Sequence, residues 1–288
     1  MTLSEFNQLP QTSLRELLAT TCGSKCWQSN MTEKFPFTSE AELVKTAVQV
    51  WYDACGRQDW IEAFSQHPKL GDLQSLAERF PTTSQMAGLE QKDVSTASHD
   101  ILTQLSKAND LYQAKFEFIF IVFTTGKTAA EMLRILQDRS SNNYEEELII
   151  SMGEQLKITI QRLKQIISAG NWEDVRISQL TTHVQDTTTG KPAAGMTIRL
   201  KHCVNNSWYT LAQGVTNKEG RIGNFLPPGK NVLPGNYKMC FETFHYFRAQ
   251  AVVSFYPKIE IDFTVSDDNN YHLPLSLSAL GYATHRGD

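Results

Sequence analysis

Leu156-Lys-Ile-Thr-Ile-Gln-Arg-Leu-Lys-Gln-Ile-Ile-Ser-Ala-Gly-Asn171 closes the helical part of the chain, and the residues beyond it change period. Leu156, Ile160, Leu163 and Ile167 recur at steps of three and four, the spacing of one helix face. With Ile149 added, the stripe predicts a helix from about Tyr144 to Ile167. Ser168-Ala-Gly-Asn171 predicts its end, with Gly170 free to take a left-handed cap. Further on, Met196, Ile198 and Leu200 alternate with polar neighbours. Tyr237, Met239 and Phe241 do the same, as do Ile259, Ile261, Phe263 and Val265. Turn clusters at Asn217-Lys-Glu-Gly220 and Pro227-Pro-Gly229 separate these runs, which is the pattern of an antiparallel β-sandwich.

Upstream the signal stays helical. Ser39-Glu-Ala-Glu42 and Thr128-Ala-Ala-Glu131 are capping boxes, where side-chain oxygens take the free N–H groups of a first helical turn. Val44, Ala47, Val48 and Trp51 then share one face. The run Phe116–Phe123 reads as a strand by composition inside this helical region. The expected organisation is multidomain: an all-α domain over 1–169, a linker over 170–176 and an all-β sandwich over 177–288.

Bulk properties narrow the function. A length of 288 residues suits two domains, and a net charge of −4 gives no electrostatic footprint for nucleic acid. No apolar run approaches the ~20 residues of a membrane helix, so no membrane partner is expected. The N-terminus lacks a basic start followed by an apolar run, which points to the cytoplasm. The five cysteines are odd in number, and the three-residue spacer between Cys22 and Cys26 is not that of a redox motif. No metal set accompanies them, and reduced thiols are expected. Gly126-Lys-Thr resembles the tail of a phosphate-binding loop, but Ile121 stands where that loop needs its first glycine.

The β half carries polar residues that a plain sandwich does not need. His183 lies in Leu-Thr-Thr-His-Val-Gln-Asp on the first strand. Arg221 follows the Asn-Lys-Glu-Gly turn, and His272 opens what reads as the last strand, Tyr271-His-Leu-Pro-Leu. Taken singly, each has an ordinary reading as an exposed or hydrogen-bonded side chain. As an ordered set with LTTHVQDTTTGKPAAGM, FYPKIEIDFTV and the terminal GYATHRGD, they resemble the 5-hydroxyisourate hydrolases, the enzyme branch of the transthyretin fold, from about Ile177 to Asp288. The resemblance implies catalytic roles for His183, Arg221 and His272, a substrate contact from Arg286, and a homo-oligomer, a tetramer through this half. The family ends in Tyr-Arg-Gly-Ser, whereas this chain ends in His285-Arg-Gly-Asp288.

The helical half has its own set: His67-Pro-Lys-Leu-Gly-Asp72, the Glu90-Gln91 pair, the Phe118–Val122 run before Gly126-Lys127, and the Lys157–Leu163 helix. Charged residues at such positions are solvated helix residues by default. Together, with the Cys22-Gly-Ser segment, they resemble the 2-oxo-4-hydroxy-4-carboxy-5-ureidoimidazoline (OHCU) decarboxylases over about Leu3 to Ile167. That resemblance implies an all-helical fold, which overrides the strand reading of Phe116–Phe123. It makes His67 the catalytic acid/base and Glu90 its carboxylate partner, raising the histidine pKa. It has Pro68, Ala87, Gln91, Ile121, Val122 and Arg162 hold the substrate. Many members have Phe-Gly-Phe where this chain has Phe116-Glu117-Phe118. Arg162 borders the apolar stripe, where a guanidinium needs an anionic partner.

The two resemblances name consecutive steps of urate degradation, with 5-hydroxyisourate and OHCU as small-molecule substrates and no cofactor. Two alternatives stay open: one active domain beside a decayed one, or a C-terminal half that binds a ligand without catalysis.

Overall fold

Fifteen of the 23 residues of the helix Tyr144–Ile166 are buried, and it packs against the helices Gln11–Thr21, Glu40–Gln49 and Arg57–Ser65. The computed structural model describes residues 1–68, 99–125, 127–172, 175 and 178–287. The chain divides into two units, Met1–Val175 and Arg176–Asp288. In the first, α1 (Leu3–Phe6), α2 (Gln11–Thr21), α3 (Lys25–Glu33) and α4 (Glu40–Gln49) lead into a π-helical turn at Val50–Ala54. Then come α5 (Arg57–Ser65), α6 (His99–Phe116), α7 (Ala129–Arg139) and α8 (Tyr144–Ile166).

The capping boxes differ in detail. Thr128 accepts the Glu131 N–H at 3.3 Å while the Glu131 carboxylate takes the Thr128 N–H at 2.7 Å, a complete box. Ser39 accepts the Glu42 N–H at 3.1 Å, but Glu42 reaches back to the N–H and hydroxyl of Thr38, both at 2.6 Å. The expected glycine cap of α8 is not formed. The helix ends through Ile167 at φ −95°, ψ 55°. Gly170 instead allows a close approach, since a Cβ there would sit 2.6 Å from Glu40 Oε1. That carboxylate accepts the Asn171 N–H at 3.1 Å.

Neither reading of Phe116–Phe123 holds. α6 stops at Phe116, and the backbone from Glu117 to Thr125 is neither helix nor strand. Phe118, Phe120, Ile121 and Val122 are nonetheless buried. Buried backbone without a ladder needs other partners, and charged side chains supply them. Arg139 Nη1 donates to the Ile121 carbonyl at 2.8 Å. The Phe123 N–H donates to Glu154 Oε2 and the Phe123 carbonyl accepts from Lys127, both at 2.7 Å. Arg139 is itself paired with buried Glu147 at 2.5 Å, and Tyr112 and Asn142 also donate to that carboxylate.

The second unit is a two-sheet sandwich. Strands β1 (Leu180–Asp186), β2 (Lys191–Pro192), β3 (Thr197–Val204), β4 (Ser207–Val215) and β5 (Arg221–Ile222) precede β6 (Gly235–Phe241), helix α9 (Thr243–Arg248), β7 (Ile259–Val265), β8 (Tyr271–Leu277) and β9 (Tyr282–Thr284). One sheet runs β2-β1-β8-β9 with β5 beside β1, and the other runs β4-β3-β6-β7. Leu180, Val184, Met196, Ile198, Leu200, Met239 and Leu275 fill the space between them. Two expectations need correction. The sandwich is not wholly antiparallel, because β1 and β8 pair in parallel. Nor is β8 the last strand, because β9 returns along it. No described helix is long and apolar enough to cross a membrane.

Candidate active sites

Burial along β1 alternates, with Leu180, Thr182, Val184 and Asp186 inward. Strand alternation therefore puts Thr181, His183 and Gln185 on the opposite face. The antiparallel register sets His183 beside Arg221 of β5, and the parallel register sets Thr181 beside His272 of β8. The Asn217 turn delivers Arg221: the Asn217 Oδ1 accepts the N–H groups of Glu219 at 3.1 Å and Arg221 at 2.8 Å. Gly220, at φ +70°, makes the tight reversal and leaves no room for a Cβ, which would meet the Val184 carbonyl at 2.4 Å.

Both imidazoles are shifted toward their neutral form. Burial first and the Arg221 charge second lower the pKa of His183. Burial, Arg221, His183 and His285, in that order, lower that of His272. His272 Nδ1 is 2.9 Å from Thr181 Oγ1, so Nε2 is the nitrogen left for chemistry. The C-terminal segment presses on the same ring. Gly287 donates its N–H to the His272 carbonyl at 2.8 Å, and a Cβ on Gly287 would lie 2.6 Å from His272 Cδ2. Arg286 goes elsewhere: its guanidinium lies over the Tyr271 ring at 4.6 Å. The structure thus brings together His183, Arg221 and His272, adds His285, and sets Arg286 on Tyr271. The sequence reading had noted His285 only as a departure from the family ending.

A second polar cluster lies in the helical unit. His67 follows α5 and precedes Pro68, its N–H bonding the Phe64 carbonyl at 3.1 Å. Opposite it stands Arg162 of α8, 2% exposed, whose Nη1 reaches the Thr21 and Thr20 carbonyls at 3.3 and 3.5 Å. Burial first and Arg162 second push the His67 pKa down to about 3, while the Gln155 amide opposes them. The upward shift expected from Glu90 belongs to a partner outside the described residues. Glu90, Ala87 and Gln91 lie outside those residues. The contact that holds Ile121 leads to Arg139 rather than to His67.

Four residues of this region escaped the sequence reading as site residues: Gln155, Thr159, Cys22 and Gly23. Gln155 donates to Thr159 Oγ1 at 3.2 Å. Cys22 hydrogen-bonds Thr159, lies near Arg162, and has its pKa raised to about 11, chiefly by burial. Gly23 packs so tightly on Gln66 that a Cβ there would fall 2.4 Å from Gln66 Cγ. The signal that could have found Gln155 and Thr159 is their four-residue spacing on one helix. Among the described residues, no group of three or more histidine, cysteine or carboxylate side chains could hold a metal ion.

Comparison with known proteins follows the same division. Residues 7–164 match the OHCU decarboxylase family, and residues 180–287 match the HIUase/Transthyretin family. The uric acid degradation bifunctional protein TTL of Arabidopsis thaliana is 29% identical, covering 92% of this chain and 96% of the relative. The 5-hydroxyisourate hydrolase of Mus musculus is 40% identical over 38% of this chain and 95% of its own length. A crystal structure of (S)-allantoin synthase aligns over all of both chains at 21% identity and a TM-score of 0.46.

Proposed function

This chain belongs to the OHCU decarboxylase family and carries a second unit of the HIUase/Transthyretin family, and from that premise we propose that it catalyses two consecutive steps of urate degradation. The second unit hydrolyses 5-hydroxyisourate, and the first decarboxylates the product to (S)-allantoin. The observation that carries the reading is the convergence of His183, Arg221 and His272 from three strands onto one region of sheet. A transthyretin-like ligand carrier has no need of that set.

In the hydrolase site, water attacks the electron-poor ring carbonyl, the ring amide C–N bond then breaks, and the proton taken from the water passes from the imidazole to the departing ring nitrogen. A neutral imidazole is the form that can accept the water's proton, and the lowered pKa values of His183 and His272 keep that form available. Arg221 stays cationic and meets the oxyanion that develops on the carbonyl oxygen.

In the decarboxylase site, Arg162 binds the carboxylate or ureido oxygens through charge-assisted hydrogen bonds. The C–C bond to the carboxyl group breaks, carbon dioxide leaves, and the bond's electron pair passes into the substrate ring. Neutral His67 takes up a substrate proton, and as imidazolium it returns one to a single face of the ring carbon. One-sided return sets the (S) configuration. Glu90 would stabilise the transient imidazolium, and Pro68, Ala87, Gln91, Ile121 and Val122 complete the pocket.

We further place the protein in the cytoplasm as a homotetramer assembled through the second unit. All five cysteines are free thiols, in keeping with a reducing compartment. Val253, Phe255, Leu280 and Tyr282 are exposed apolar side chains in that unit, the kind of surface that oligomers cover.

The test is an ultraviolet and circular dichroism time course on urate oxidised in situ. Wild type should give rapid (S)-allantoin, His67→Ala should stall after hydrolysis, and His183→Ala before it. Decay of 5-hydroxyisourate at its spontaneous rate in the presence of wild type would refute the hydrolase reading and favour a ligand carrier.

A further inference from the structure

α8 carries Glu147, Ser151, Gln155 and Thr159 at steps of four, all buried, so they form one polar line along the helix. The first two serve the Arg139 ion pair. Gln155 has no such employment. It is fully buried, and its Nε2 is committed to Thr159 Oγ1 at 3.2 Å. Its Oε1 is buried and makes no close hydrogen bond among the described residues. A buried amide oxygen left unsatisfied costs about 1–3 kcal/mol. The group that this amide faces is the His67 imidazole.

We propose that Gln155 is a positioning residue for His67, its Oε1 accepting the imidazole N–H and so fixing which ring nitrogen exchanges protons with the substrate. A neutral imidazole has one donor and one acceptor nitrogen, and the partner of the donor selects the tautomer. Among the described residues, neither Arg162 nor Cys22 can take that part. Arg162 has no acceptor atom, and the Cys22 thiol is turned to Thr159. Thr159 in turn keeps the Gln155 amide from rotating. Among the described residues, the charged group acting on the ring is Arg162 of α8; Cys22 at the end of α2 lies near Arg162 and feels Glu62 of α5, and Glu90 is the carboxylate proposed above for the imidazolium.

The inference rests on the decarboxylase reading of this unit for its consequence, but its test does not. Full-length protein labelled with ¹⁵N-histidine would be examined by long-range ¹H–¹⁵N correlation, with His67→Asn to assign the signals. Wild type should show one neutral tautomer at His67. Gln155→Leu should show both tautomers in exchange. Its decarboxylation kcat should fall roughly tenfold, as for other partners that orient a functional histidine, with KM little changed. Gln155→Glu keeps an acceptor, so it should restore the single tautomer. Its carboxylate should also move the acid limb of the kcat–pH profile upward. A Gln155→Leu protein with the wild-type tautomer would overturn the proposal, and so would a Gln155→Glu protein with an unmoved acid limb. Failure of wild type to decarboxylate would defeat the reading of the unit, while the tautomer would still decide the role of Gln155.

Discussion

Three single residues show how local physics sets what the sites can do. Glu117 ends α6 at φ 63°, in the left-handed region, with its N–H bonded to the Gln113 carbonyl at 2.9 Å. A side chain there costs about 1–2 kcal/mol, which explains the glycine that many OHCU decarboxylases place at this point. Glu117→Gly should raise the thermal midpoint of the first unit by a few degrees in calorimetry, because relief of strain outweighs the added freedom of the unfolded chain. Gly287 is small for a different reason: His272 fills the space. Gly287→Ala should displace that ring and cut hydrolase turnover by at least tenfold, leaving decarboxylation unchanged in the same sample. His67 gives a stability prediction. Its folded pKa of about 3 lies below the ordinary ~6.5, so the unfolded chain takes up a proton that the folded chain refuses. Its contribution to stability is therefore intact above about pH 6.5 and is lost as the pH falls toward 3. Between about pH 7 and pH 4.5 the urea midpoint of wild type should fall more than that of His67→Asn.

At the scale of elements, the strands were the more legible half. Period-two alternation is a strict geometric rule, so the sequence alone could assign His183 to an outward strand position. The register that places Arg221 and His272 beside it came from pairings between distant segments, which periodicity does not encode. α8 was legible as a helix for the same kind of reason. Its chemistry was not, because Glu147, Ser151, Gln155 and Thr159 look like a solvated helix face until the surrounding helices close over them. The Phe116–Phe123 run was misread both as strand and as helix. Its hydrogen bonds go to nearby Lys127 and to distant Arg139 and Glu154, and no local pattern announces the two distant partners. The ion pair that supports this segment is a point of leverage. Arg139→Met should leave Glu147 charged, buried and short of its main partner, and cost about 3–5 kcal/mol. Urea unfolding followed by tryptophan fluorescence would check it, since Trp27 and Trp51 are fully buried in this unit.

For the whole molecule, the division of the chain into two units with separate cores makes the two chemistries separable, and the proposed oligomer makes them unequal. The helical site is built from residues buried within one copy: Arg162, Gln155 and Thr159 all lie at 2% exposure or less. The hydrolase residues sit instead on the outer face of a sheet, with Arg221 exposed and His183 and His272 only half-buried. Water exclusion strengthens electrostatic stabilisation, and a second copy laid over that face would supply it. Leu280, 77% exposed beside the short edge strand β9, belongs to the apolar surface that such a copy would cover. Serial dilution of wild type through the dissociation range should therefore lower hydrolase turnover per chain while decarboxylation per chain stays constant. Leu280→Glu should shift the loss to higher protein concentration, with light scattering reporting the mass at each point. Hydrolase turnover that stays constant per chain as the mass falls to that of one copy would mean that His183, Arg221 and His272 suffice without a neighbour. The apolar surface around Leu280 would then need another explanation than completion of the site.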